Sequence, residues 1–210
     1  MYETIKAMTM LDRGILLATG LVAIYMLVIL AKKQKANKET SNLFFMISFA
    51  VLLVAGLILI FSNWNSLLSP FVAVVAGFIP FGLALGLIHK YYTKLFKTWL
   101  ILLIVGLIAI AVTKFGQVMC KGTVALPLFH AFAGFTIFFV PIFAIKSGKV
   151  QIPFINVTIG GTLIGLGGIA LAFIKNGKQL LFFSPTVVLS ILAPLLFLTA
   201  LFLALGLKSE

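Results

Sequence analysis

Seven stretches of this chain carry no Asp, Glu, Lys or Arg and are long enough to cross a bilayer: residues 14–31, 43–62, 69–88, 98–113, 125–145, 153–174 and 185–207. A spanning helix needs about 20 mostly apolar residues, and in hydrocarbon every backbone N–H and C=O must find its partner inside the segment or in a closed barrel. Barrel strands alternate polar and apolar residues, and no such alternation is present. The sequence therefore predicts an all-α polytopic integral membrane protein, seven transmembrane helices in a single domain over residues 1–210. The fourth stretch is the shortest, and it spans only if the aromatic start Tyr91, Tyr92 and Trp99 counts toward the helix. The first runs into Lys32-Lys33-Gln34-Lys35 and lacks a small-residue cleavage site, so it reads as a retained span rather than a signal peptide. With 10% charged residues against roughly 25% in soluble domains, no stretch is left over for an aqueous domain.

Orientation follows from Lys and Arg on short loops. Ten of the sixteen basic residues fall on one side, at Lys32, Lys33, Lys35, Lys38, Lys90, Lys94, Lys97, Lys146, Lys149 and Lys208. The expected arrangement is a cell-membrane protein with its N-terminus outside, its C-terminus inside and basic cytoplasmic loops. The net charge of +12 is then flank chemistry, suited to anionic headgroups at the inner face. Membrane lipids and other membrane subunits are the expected partners, and nucleic acid is not.

Internal similarity suggests a repeat. Gly106 to Gly116 matches Gly167 to Gly177 at six of eleven positions, and Pro70 to Phe78 echoes Pro127 to Phe135 with Gly77 opposite Gly134. These matches predict three two-helix hairpin repeats plus a final helix, which resembles an odd-numbered span through Ser184-Pro185 against Ser69-Pro70. Gly82-xxx-Gly86 and Gly161-xxx-Gly165 allow close helix contact, most simply within one bundle. Pro80, Pro141 and Pro194 lie inside spans and each frees a carbonyl four residues earlier, so kinks are expected there.

The acids are Glu3, Asp12, Glu39 and Glu210, all expected in flanks or loops. No intramembrane carboxylate remains for a proton relay, for a paired-carboxylate mechanism or catalytic triad, or for a two-histidine-one-carboxylate iron site. Phosphate-binding glycine loops are missing. No catalytic residue is assigned, and the chain reads as non-enzymatic. One cysteine, Cys120, excludes an internal disulfide and a cysteine-based zinc site.

His89 belongs at the inner interface. His130 falls inside span five, and an ionisable residue there is a functional-site candidate by default. The two histidines would lie roughly 20 to 25 Å apart in depth and cannot share a haem iron. His130 with Met119 or Cys120 could hold haem b or copper. The simpler expectation is no cofactor, with the ring N–H of His130 donated to Ser190 or Thr113, or to a ligand beside the Pro141 and Pro194 kinks.

Three functions are consistent with this inventory. One is an accessory subunit of a membrane assembly, or a module binding lipid or another hydrophobic ligand. A second is a facilitative transporter or channel, suggested by the repeat and the kinked odd helices. The third is an electron-transfer protein built around His130.

Overall fold

The computed structural model describes residues 7–116, 122–175 and 184–210. It is an all-α polytopic membrane fold. Among the described residues seven helices are long and apolar enough to span a bilayer: α1 (Met10–Asn37), α2 (Thr40–Ser62), α3 (Pro70–Tyr91), α4 (Phe96–Phe115), α5 (Gly122–Lys146), α6 (Ile155–Lys175) and α7 (Pro185–Lys208).

Local chemistry explains where these helices begin and end. α1 starts earlier than the charge pattern implies because Thr9 and Asp12 form a reciprocal capping box, the Asp12 carboxylate accepting from Thr9 N–H at 2.9 Å and from its hydroxyl at 2.8 Å. Asp12, expected in a flank, thus lies in the first helical turn and is buried, acting as a cap. At the other end Lys38 takes a left-handed conformation, φ 54°, which stops α1 and lets α2 begin two residues later. Pro70 opens α3 and Pro185 opens α7, each at a position where the missing N–H has no helical partner to lose. A 3-10 turn over Thr93–Leu95 leads into α4, so the fourth span is a 20-residue helix starting at Phe96 with Trp99 in its first turn.

α1 packs on α2, α2 on α3, α3 on α5, α5 on α6, α6 on α7, and α7 back on α1. α4 stands outside this closed circuit, held by α3 and α5. Its buried residues are only Leu103, Gly106 and Ile110. Residues 79–88 of α3 are buried without interruption and form the centre of the main core, together with Met26, Leu30, Phe45, Ile137, Val157 and Leu203. A smaller core at the opposite end gathers Leu16, Leu59, Leu189 and Leu192 around the fully buried ring of Trp64.

Glycines set the closest approaches. A Cβ on Gly82 would lie 2.8 Å from the Phe44 carbonyl, and one on Gly86 would overlap the Phe45 ring, so both glycines of that motif seat α3 on α2. Gly161 meets Ile137 of α5 and Gly160 meets Leu203 of α7, while Gly165 has open space around it. Only the first of the two Gly-xxx-Gly motifs acts as a unit, and it acts inside the bundle.

The hairpin repeat does not extend to the packing. Gly77 lies against Leu107 and His130, whereas nothing comes within 4 Å of a Cβ at Gly134. Pro70 opens α3, but Pro127 lies more than a turn inside α5. The matched Gly, Leu, Ile and Ala are interchangeable apolar residues, and their order does not dictate which neighbour a helix chooses. A different correspondence is visible: Ala84-Leu-Gly86-Leu in α3 and Ala204-Leu-Gly206-Leu in α7 both end a helix opened by Ser-Pro. Gly86 seats its helix on the preceding one at Phe45, and Gly206 does so on α6, where a Cβ would lie 2.7 Å from the Val157 nitrogen.

These contacts predict that Gly86→Ala destabilises the protein by about 1 to 3 kcal/mol, the usual range for overpacking a tight contact. Gly165→Ala should be neutral or slightly stabilising, because a helical alanine costs up to about 1 kcal/mol less than glycine. Thermal unfolding in detergent compares the two; equal effects would show that the Phe45 contact is not tight.

Candidate functional site

Along the outer side of α5, Phe132, Phe135, Phe139 and Phe143 recur at three- and four-residue steps and so share one face. Phe139 and Phe143 stack at 5.9 Å, and Phe135 and Phe139 are 6.3 Å apart. All four are substantially exposed. Because α4 leans only lightly on α5, this face is not covered by its neighbour. A lateral groove of about 500 Å3 is left between the α3–α4 junction and α5. Tyr92 and Leu95 line its end beside the lysine-rich loops, Phe139 and Phe143 form one wall, and Trp99 stands opposite.

One polar contact lies in the groove. Trp99 Nε1–H donates to Thr136 Oγ1 at 2.9 Å, and the same hydroxyl donates to the Phe132 carbonyl at 2.9 Å. The indole is thereby fixed across the groove, and the threonine hydroxyl is satisfied in both roles. Apart from the Tyr92 phenol the rest of the lining side chains are hydrocarbon, which suits a ligand that is itself apolar.

His130 lies one helical face away, at the packing of α3 on α5. Its Nδ1–H donates to the Leu126 carbonyl at 3.0 Å, its ring is tilted against Phe81 at 5.9 Å, and its Cε1 edge faces Gly77. A Cβ at Gly77 would meet that edge at 3.9 Å, an ordinary van der Waals contact. Thr113 donates its hydroxyl to Ala109 at 2.7 Å, and Ser190 donates to Thr186 at 2.8 Å. The Nδ1 proton therefore goes to the histidine's own helix rather than to either hydroxyl. Ser190 and Pro194 are on α7, which packs on α1 and α6, whereas Pro141 is buried in α5. Near Pro141, Thr158 of α6 donates across to the Phe138 carbonyl at 2.9 Å, tying α6 to α5 one residue beyond the Ile137 carbonyl that the proline frees. Met119 and Cys120 lie outside the described residues. Among the described residues no three of His, Cys, Asp and Glu gather as a metal site would require.

The lysine-rich end holds a charge cluster that sequence spacing did not reveal. Lys90 Nζ pairs with Glu39 at 2.9 Å and with Glu210 at 3.2 Å, Tyr91 donates its hydroxyl to Glu210, and Lys33 donates to the Leu207 carbonyl at 3.0 Å. These contacts join the ends of α1, α2, α3 and α7. The hydrogen bond from Lys90 holds the Glu39 carboxyl below the usual glutamate range. Burial pushes Glu210 up despite the nearby Lys90, its side chain being 10% exposed. At the other end Arg13 donates to the Ile60 carbonyl at 2.6 Å and to Asn63 Oδ1 at 2.7 Å, closing the C-terminus of α2 with a cation from α1.

The class defined by this fold and groove is a polytopic helical membrane protein with a laterally open, aromatic-lined groove. No family model, curated protein or solved structure matches the chain. The sequence carried one signal for the groove that went unread: four phenylalanines on one face of a helix whose neighbouring span is the shortest.

Two outcomes are expected. A double-mutant cycle of Trp99→Phe and Thr136→Val should give a coupling of about 0.6 kcal/mol and no more than about 1.7, the range of measured intramembrane hydrogen bonds; zero coupling in unfolding experiments would remove the bond. For Glu39, a depressed value means stabilisation that is present above the usual carboxylate pKa of about 4.3 and lost as pH falls through the depressed one. For Glu210 the sign is reversed: its contribution is present below the usual carboxylate pKa and is lost as pH rises through its raised value. Relative to Glu39→Gln, the natural protein should therefore be more stable at neutral pH, by at most about 1 kcal/mol for so exposed a pair. The difference should vanish in acid, and a constant difference across pH would refute the assignment.

Proposed function

We propose that this chain is a non-enzymatic integral membrane protein that binds a hydrophobic ligand through the α4–α5 groove. The observation that carries this reading is the groove itself. It lies between helix flanks, its lining is almost wholly aromatic and aliphatic, and its Trp99–Thr136 pair is already satisfied internally. A ligand for such a site reaches it from the bilayer. The acids support the same reading, since Asp12, Glu39 and Glu210 are occupied as helix cap and ion-pair partners and none is presented to a substrate. A role as an accessory subunit is compatible with it, because α4 offers a face of Ile101, Ile104, Val105 and Ile108 on which another membrane helix could lie. The lysine-rich end would face the cytoplasm, as the distribution of basic residues favours.

The test is occupancy of the groove. Ala131 is exposed on its lining, so Ala131→Phe should fill part of the space without disturbing the core. Native mass spectrometry of the protein released from detergent should show a retained apolar molecule that the variant loses, with thermal stability unchanged. Identical spectra for the two proteins would reject the groove as the binding site.

A further inference from the structure

Four lysines lie on the chain segments that lead into the end of the groove lined by Tyr92 and Leu95. Lys94 and Lys97 flank Leu95 on the approach to Trp99, and Lys146 follows Phe143 by three residues. Lys149 is held more closely. Its Nζ donates to the Tyr91 carbonyl at 3.1 Å and sits 5.0 Å over the ring of Tyr92. All four are exposed. The carboxylates among the described residues are committed elsewhere, Asp12 at the far end of the bundle and Glu39 and Glu210 on Lys90. The four ammonium groups consequently have no carboxylate partner among the described residues, and they stand where an apolar groove meets the water boundary.

We propose that the occupant is an anionic glycerophospholipid, one acyl chain lying in the groove and its phosphate on Lys94, Lys97, Lys146 and Lys149. This identification rests on the groove-binding reading above and adds the ligand's class. Charge complementarity selects it, since unpaired cations at the mouth of a carbon-lined channel match a molecule with an anion at one end and hydrocarbon at the other. Length agrees as well. The lining on α5 runs from Leu128 to Phe143, roughly 22 Å of helix at 1.5 Å per residue, which accommodates the roughly 15 Å depth of one leaflet's hydrocarbon.

Trp99 supplies the probe. In vesicles of phosphatidylcholine containing a small fraction of lipid brominated on its acyl chain, bromine in the groove quenches Trp99. Trp64 is 1% exposed in the core at the opposite end, and Trp99→Phe measures its share. Brominated phosphatidylglycerol should quench Trp99 at lower mole fraction than brominated phosphatidylcholine, by about fivefold or more, the factor that one engaged lysine provides near anionic lipid. Replacing the four lysines by glutamine should bring the ratio close to one. Added salt should reduce it in the natural protein, which tests the charge dependence even where the fourfold variant is unstable. Equal quenching by both lipids that Ala131→Phe diminishes would overturn the headgroup assignment and leave the groove a site for acyl chains. Quenching that Ala131→Phe leaves unchanged with either lipid would overturn both.

Discussion

Backbone polar groups in hydrocarbon have no water to turn to, and the rest of this structure depends on that constraint. Each span must be a helix satisfied from within, so charge is moved to the helix ends and used there. Asp12 caps α1 through Thr9, Arg13 closes α2, Lys33 closes α7, and Lys90 draws Glu39 and Glu210 together. Between those ends the helices have no hydrophobic reason to prefer one another over lipid. Close approach decides instead, which is why Gly82, Gly86, Gly160, Gly161 and Gly206 sit where α2 meets α3 and where α6 meets its neighbours.

The same logic accounts for α4. It has one glycine at a contact, Gly106 against the Phe129 ring, and otherwise turns branched aliphatic side chains outward. A helix with little small-residue surface cannot come close along its length. It touches α5 at a few points, and the aromatic face beside those points stays open. The groove is thus the complement of the glycine-rich packing elsewhere, and the Trp99–Thr136 bond bridges helices that do not interdigitate.

Legibility in the sequence divides along these physical lines. Seven spans could be read because charge is intolerable over 20 residues of hydrocarbon, a local property of each run. Helix ends were read less well, since Asp12 forms its cap with Thr9 through bonds that charge counting ignores. Which helix packs on which could not be read at all: Gly77 and Gly134 look equivalent in sequence, yet one holds an imidazole against it and the other faces open space. The contacts that define the groove and the charge cluster join Trp99 to Thr136, Lys90 to Glu39 and Lys149 to Tyr91, all remote in the chain. His130 was legible as an exception within an apolar span, whereas the hydrogen bond of its ring N–H to the Leu126 carbonyl was not.

A groove that opens into a bilayer faces a problem of selection that an aqueous pocket does not. Every lipid tail is as apolar as its walls, so transfer from water contributes nothing to choosing among them, and affinity must come from fit and from polar groups at the edge. Here one wall carries four phenylalanines on one helix face, of which Phe139 and Phe143 stack, and the interior polar pair is closed upon itself. If the groove binds lipid as proposed, discrimination falls to the rim. On the proposed reading, the rim lysines, which have no carboxylate partner among the described residues, act on the ligand, whereas Lys90, paired with two glutamates, holds helices together. The division of labour among these lysines follows from where the few acids of the chain are placed.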